Sequence, residues 1–312
     1  MADITVTVAV LTYNPDPGKL LATLRSVLLQ EGIAFDIVIA DDGSARKCFD
    51  AVKAFFAEEG FTGYQILENP ENRGTVLNTL SAVEQSRGKF VKLISPGDLL
   101  AGKDILQRWV AGMQAHAAQL SFADAVYYVP TEDGPVAVAN NAYPSRTGCY
   151  RSGNLQAQRY QYLICEDWFL GAATLCRQET LLAYLQEIAG KVVYAEDNVY
   201  RLMAYDKIPV WYFPENAIVY ETGFGVSTAG NDIWKQRLQK DRDACSALLL
   251  ARCTGKDPLD KKLRLVLGNA GKLKRYLCLP GLTFRKLQNK LYRKRTEKYL
   301  PEAFLKAVFP TQ

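Results

Sequence analysis

Histidine is nearly missing from this 312-residue chain: His116 is its one imidazole. A Ser-His-Asp triad and a multi-histidine metal centre are nearly excluded on that ground, and any acid or base is expected among the carboxylates. The seven scattered cysteines are odd in number and contain no Cys-x-x-Cys pair. That suits free thiols in a reducing cytosol better than a disulfide frame or a zinc site. No run reaches the roughly 18 uninterrupted apolar residues of a membrane-spanning helix. The opening "MADITVTVAV" lacks a basic leader and a small-residue cleavage site, so it reads as mature sequence. Glycine-rich phosphate loops are absent as well, since "LTYNPDPGK" carries no Gly-x-Gly-x-x-Gly and no P-loop occurs elsewhere. An ordinary dinucleotide or ATP site is not expected.

What is there begins with 48 % hydrophobic composition, enough to bury a large core. The net charge of +5 hides a segregation: residues 256–298 hold 14 Lys and Arg against three acids, a local +11, and leave the rest at −6. The charge balance changes near "TGKDP", so we expect one domain over 1–254 and a basic helical extension over 255–312.

The first hundred residues alternate. "ITVTVAVLTY", "FDIVIA", "GYQILEN" and "KFVKLIS" read as strands, rich in β-branched residues. Between them "PGKLLATLRSVLLQ", "CFDAVKAFFAEEG" and "TVLNTLSAVEQSRG" carry helical spacing. This order predicts an α/β fold with a mostly parallel sheet flanked by helices. Such sheets bind ligands at the carboxyl ends of their strands, which brings "TYN" (12–14), "DDGS" (41–44) and "SPGD" (95–98) to one edge. Residues 103–150 are less regular, with a strand at "AVYYVP". Later come a strand-to-helix passage "ATLCRQETLLAYLQEIAG", a helix "AEDNVYRLMAYD", strands "KIPVWYF" and "AIVYE", and an amphipathic helix "WKQRLQKDRDACSALLLARC".

Two adjacent carboxylates, Asp41 and Asp42, end the second strand. Taken alone, Asp41 reads as an Asx turn and Tyr13 as edge packing. A strand-end carboxylate can equally accept a hydrogen bond from a base or ribose, with an aromatic ring packed on the base. "VAVLTYN", "DDGS", "ENRGTVLN", "RGKFVKLISPGD" and "AEDNVYRLMAYD", in this order over residues 4–245, together resemble a family 2 glycosyltransferase with the GT-A fold, of the bacterial surface-polysaccharide (O-antigen or capsule) type.

The resemblance implies an inverting transfer from a nucleoside-diphosphate sugar, a UDP-sugar first, to a glycan or lipid-linked acceptor. It implies donor contacts from Thr12, Tyr13, Asp41, Asp42, Asn72, Gly74, Asp98 and Ser227. It implies a divalent cation, Mg or Mn, at the diphosphate. The family usually places two Asp residues around one position where this chain has Ser95-Pro96-Gly97-Asp98, so Asp98 alone is left as metal ligand. Members often carry His or Arg near Glu221; an acid there puts direct phosphate contact by that position in doubt. Transfer needs a base for the acceptor hydroxyl. By resemblance Asp197 is that base and Glu196 its neighbour, while Glu166, Asp167 and Trp168 are candidates for the acceptor side. The alternative is a catalytically idle sugar-nucleotide or glycan-binding module. In the tail, Phe284, Leu287 and Leu291 share a helical face amid Arg285, Lys286, Lys290 and Lys294. That pattern suggests a peripheral helix on an anionic membrane surface, at the cytoplasmic face of an inner membrane. No nucleic-acid motif accompanies it.

Overall fold

The computed structural model describes residues 4–132, 134–223, 232–268, 277–291, 295–296 and 302–309. The expected alternation opens it: β1 (Val6–Thr12), α1 (Pro17–Leu28), β2 (Phe35–Asp41), α2 (Phe49–Glu58), β3 (Tyr64–Glu68), α3 (Thr75–Glu84) and β4 (Phe90–Ile94). β1 is buried along its whole length and β2 along all but its first residue, as expected of strands covered on both faces. α1 begins at Pro17, where the missing N–H costs nothing, and Asp16 accepts the Lys19 N–H as its cap.

β1 pairs in parallel with both β2 and β4, and β2 with β3. The chain therefore reverses its order of strands between β1 and β4, which opens a crevice at their carboxyl ends. Thr12 and Asp41 face each other in register there, and Val10 faces Ile94.

The second half continues through β5 (Leu99–Leu100), α4 (Ile105–Ala115), β6 (Leu120–Thr131), β7 (Gly134–Val138), α5 (Gly148–Arg151) and α6 (Leu155–Arg159). It then runs through β8 (Thr174–Arg177), α7 (Gln178–Ile188), α8 (Val199–Tyr205), β9 (Val210–Glu221), α9 (Asp232–Arg252) and α10 (Asp260–Leu267). Helices Pro280–Leu291 and Glu302–Val308 follow. Among the described residues the sheet has the order β3-β2-β1-β4-β8-β6-β9-β5, with β7 on β6. β8 is antiparallel to both β4 and β6. The sheet is thus parallel over its first four strands and mixed beyond them.

Two local expectations change. "KIPVWYF" and "AIVYE" are one strand, β9, interrupted in register where Ala123 faces Phe213 and Asp124 faces Asn216. Pro214 falls in that gap, where a residue without an N–H is tolerated in a ladder. The region from 103 also holds α4, which buries Ile105, Leu106, Trp109, Val110 and Met113.

Helices α3, α7, α8, α9 and α10 cover one face of the sheet, and α1, α2 and α4 the other. The tail is woven into these cores. Leu263, Leu279 and Leu282 join the first, and Phe304, Leu305 and Val308 pack with Ala22, Leu99 and Val219.

Candidate active site

Each strand ending at the crevice delivers a polar group to the same edge. From β1, the buried Thr12 hydroxyl donates to Asp41 at 2.9 Å, and Tyr13 stands 55 % exposed. Asn14 accepts the Ala45 and Arg46 N–H groups and so ties the two loops together. Asp41 accepts the Ser44 N–H at 2.8 Å and the Ser44 hydroxyl at 2.6 Å, so it holds the turn. Asp42 reaches the other way, its two oxygens accepting the Arg73 and Gly74 N–H groups at 2.9 Å each. Asn72 is exposed beside them.

Gly74 links this edge to the next part of the site. Its φ is +90°, and a Cβ there would overlap Val193; a glycine is required on both counts. Two residues on, the Val76 N–H donates to the Val193 carbonyl at 3.0 Å. The segment after Val193 leads directly into a short 3₁₀ turn, Glu196–Asn198. It is held from α9 by Asp241, whose buried carboxylate accepts the N–H groups of Val193, Tyr194 and Ala195 at 2.9, 2.6 and 2.9 Å. Arg201 on α8 completes the support, donating to Asn198 and to Ser246 on α9.

Glu196 and Asp197 occupy a recess dense enough in protein to raise both pKa values. For Glu196 the cause is desolvation, reinforced by the Asp197 charge. For Asp197 it is desolvation, opposed by the Arg201 and Arg242 guanidiniums. Asp197 still keeps an exposed side, which leaves it within reach of a ligand. Lys92 shapes the same recess from below. It is fully buried on β4 and donates to the Ala172 carbonyl at 2.6 Å, next to Gly171, against which Asp197 lies. Burial pulls its pKa down to about 7, with Asp98 opposing.

Glu166, Asp167 and Trp168 have partners within the chain. Asp167 is buried and accepts the Ser145 N–H and hydroxyl, Gln161 Nε2 and Asn289 Nδ2. Glu166, at φ +55°, pairs with Lys286 at 2.7 Å. Both therefore grip the Pro280–Leu291 helix. Trp168 donates to the Tyr162 carbonyl, and Arg242 and Arg201 lie over its ring at 5.2 and 5.9 Å. It is the aromatic platform for the two guanidiniums beside Asp197.

The "SPGD" turn differs from its expected use. Asp98 is only 6 % exposed, accepts the Glu221 N–H at 3.2 Å, and is pushed up to about 7 by burial. Gly97 has φ +100°, and a Cβ there would overlap Glu221 Oε2. The other Glu221 oxygen is taken by the Lys19 ammonium. A divalent cation of this kind needs several oxygens converging on one open space. Here one carboxyl is buried, one is neutralised by lysine, and the backbone at 97 rejects a third. Among the described residues no group of three His, Cys, Asp or Glu side chains could hold a metal. On the protein side this turn offers a divalent cation Asp98 alone, and Mg²⁺ commonly takes one or two carboxylates with phosphate oxygens and water. Ser227 lies outside the described residues. A cleft of about 320 Å³ lined by Asp124, Tyr127, Tyr143, Asn216 and Thr296 contains none of the candidate residues.

Sequence reasoning missed Lys19 and Asp241. Their partners are 202 and 46 to 48 residues away, so no local pattern could flag them.

The sequence model described as "Glycosyl transferase family 2" matches residues 7–166. No curated protein matches the chain significantly. Among solved structures, S. aureus TarS 1-349 in complex with UDP is 15 % identical, with a TM-score of 0.53, over 93 % of this chain and 76 % of that one. The same protein in complex with UDP-GlcNAc is 15 % identical with a TM-score of 0.55, over 88 % of this chain and 73 % of that one. The mannosyltransferase PcManGT from Pyrobaculum calidifontis, in complex with GDP-Man and Mn2+, is 17 % identical with a TM-score of 0.57, over 98 % and 86 %. At these identities the likeness is one of fold.

Proposed function

The chain belongs to glycosyl transferase family 2, and from that premise we propose that it is an inverting transferase. It moves a sugar from a nucleoside-diphosphate donor, UDP-linked in the first instance, to a glycan or lipid-linked acceptor of a surface polysaccharide. One observation carries the reading: Asp42 accepts the Gly74 N–H, the Val76 N–H donates to the Val193 carbonyl, and Asp197 follows Val193 by four residues in the turn Glu196–Asn198. A nucleoside end and a basic end are thereby held in one frame. Tyr13 offers an exposed ring for the base, and Asp42 keeps lone pairs beyond its two backbone bonds. Asp197 takes the acceptor hydroxyl proton while the new bond to the anomeric carbon forms and the bond to the diphosphate breaks. Arg201 and Arg242 keep enough of it ionised to act. A Mg or Mn ion at Asp98 would take its remaining oxygens from the diphosphate and water.

An idle donor-binding module is the rival, favoured by Gly97. An exposed carboxylate with a raised pKa argues for chemistry instead. Incubation with a panel of nucleotide sugars and simple glycan acceptors, read by released nucleotide, decides between them. Release from at least one donor supports transfer, and binding without release supports the idle module.

The protein is further proposed to work at an anionic membrane surface. No helix among the described residues is long and apolar enough to cross a membrane. The Pro280–Leu291 helix instead buries Leu282 and Asn289 and leaves Phe284, Leu287 and Leu291 at 62, 52 and 66 % exposure. An apolar face within a strongly basic segment suits reversible attachment.

A further inference from the structure

Resting on the transfer reading just given, we infer that the cleft of about 320 Å³ is the acceptor site, and that it takes one uncharged, hydroxyl-bearing sugar ring of the acceptor. Strand direction places it. β8 runs antiparallel to both β4 and β6, and Cys176 pairs with Val91 on one side and Leu120 on the other. Leu120 therefore stands level with Val91, and Asp124 and Tyr127 lie beyond Ile94, where β4 ends. The cleft thus opens at the same carboxyl edge of the sheet as the β1–β4 crevice, further along it. Its sides lead to groups already described. Leu170 lines the cleft, and the next residue, Gly171, lies against the Asp197 side chain. Tyr127 lines it as well, and the next residue, Tyr128, donates its hydroxyl to the Gly97 carbonyl of the 95–98 turn.

The lining matches such a ring. Its volume of about 320 Å³ is at the small end of the roughly 300–1,000 Å³ of ligand pockets, room for one ring rather than a whole nucleotide sugar. Tyr127 and Tyr143 bring aromatic surface that packs on the C–H face of a pyranose, and Asn216, Thr296, Asp124 and Glu215 bring polar atoms. Two of these groups are unsatisfied within the described residues. Tyr127 is 4 % exposed, yet its hydroxyl has no hydrogen-bond partner among them, and neither has the Asn216 side-chain amide. A buried hydroxyl that faces a cleft without a protein partner is one that a ligand hydroxyl can satisfy. The wall at Thr296 is fixed, because Thr296 Oγ1 accepts the Asn140 N–H and the Thr296 N–H donates to the Asn140 carbonyl, each at 2.9 Å. The described lining contains no lysine or arginine and two carboxylates, of which Glu215 pairs with Arg108. That lining favours a neutral ring over a phosphate or a uronate.

The test is saturation-transfer NMR on the full chain in the presence of UDP and Mn2+. Methyl glucoside, galactoside, mannoside and N-acetylglucosaminide are the neutral probes and methyl glucuronide the charged one, each titrated through the millimolar range. At least one neutral pyranoside should bind, about threefold or more tightly than the glucuronide. Tyr127→Phe and Asn216→Ala each remove one hydrogen-bonding group and should each weaken that pyranoside by about three- to tenfold. UDP affinity by calorimetry should stay within about twofold in both variants, which separates a lost contact from lost folding. No binding of any neutral probe, tighter binding of the glucuronide, or binding that both variants leave unchanged overturns the inference and leaves the donor reading standing. If neither UDP nor GDP binds the wild-type chain, with or without Mn2+, the donor reading falls and the acceptor role of the cleft with it.

Discussion

Asp197 is set apart from the other carboxylates of the crevice by what its neighbours do to its proton. Asp41 and Asp42 are committed to backbone and hydroxyl donors, whereas Asp197 keeps an exposed side in a recess with Glu196 next to it. Desolvation raises both members of this pair; the Asp197 charge raises Glu196 further, to about 8, and the Asp241 charge adds to the rise at Asp197. The proposed base acts in its ionised form. The acidic limb of the kcat/KM profile should therefore lie above the ordinary carboxylate range of about 4. Activity should be lost as pH falls through that raised value. A limb at about 4 would contradict the raised value and with it the recess as the place of the base. The residue scale also shows what a sequence can hold. Asp41 and Asp42 were legible because they are adjacent at a strand end, and Glu196 and Asp197 because they open a helix containing Arg201. Asp241 was not, since three backbone N–H groups beside the base depend on a carboxylate in a different helix.

Elements were legible where both faces of a strand are buried and each helix has one apolar side, which covers the first hundred residues. α4 was missed because its buried positions come without a strong start signal; Asp104 precedes it but makes no side-chain cap. β9 was split in two because Pro214, Glu215 and Asn216 look like a turn, and only pairing with β6 carries the strand through. The Pro280–Leu291 helix was legible as amphipathic, yet its polar side turned out to be a docking side. Lys286 meets Glu166 and Asn289 meets Asp167, so two residues expected near the acceptor also anchor the helix. Its outward Phe284, Leu287 and Leu291 are the set proposed to face a membrane. Replacing all three by Ser removes exposed apolar area and should leave the melting temperature within a few degrees. Co-sedimentation with anionic vesicles should fall at least about tenfold, given the loss of roughly 0.8 kcal/mol per buried CH₂. Undiminished sedimentation would assign attachment to the basic charges alone or to another surface.

At the scale of the molecule, charge and packing divide the chain differently. Charge separates a body at −6 from a segment at +11, which suggests a detachable tail. Packing does not, because Leu263, Leu279, Leu282, Phe304, Leu305 and Val308 complete two of the cores. At about 1.5 to 3 kcal/mol for each buried side chain, their burial contributes on the order of 10 kcal/mol as an upper estimate. That is comparable to the whole stability of a domain. Truncation after Thr254 should therefore yield protein that melts far lower or fails to fold, as differential scanning fluorimetry would report. An unchanged melting temperature would show the tail to be an independent unit. Whatever the tail contributes, the family 2 reading depends on one group performing one step. The measurement that bears on it most directly is Asp197→Asn assayed for both turnover and donor affinity, with the donor that the wild-type protein uses. Transfer should fall by about 100-fold or more while donor affinity stays within about twofold, since only the proton-accepting group has been removed. Transfer at the wild-type rate in Asp197→Asn would contradict the assignment of the base and, with it, the proposed mechanism.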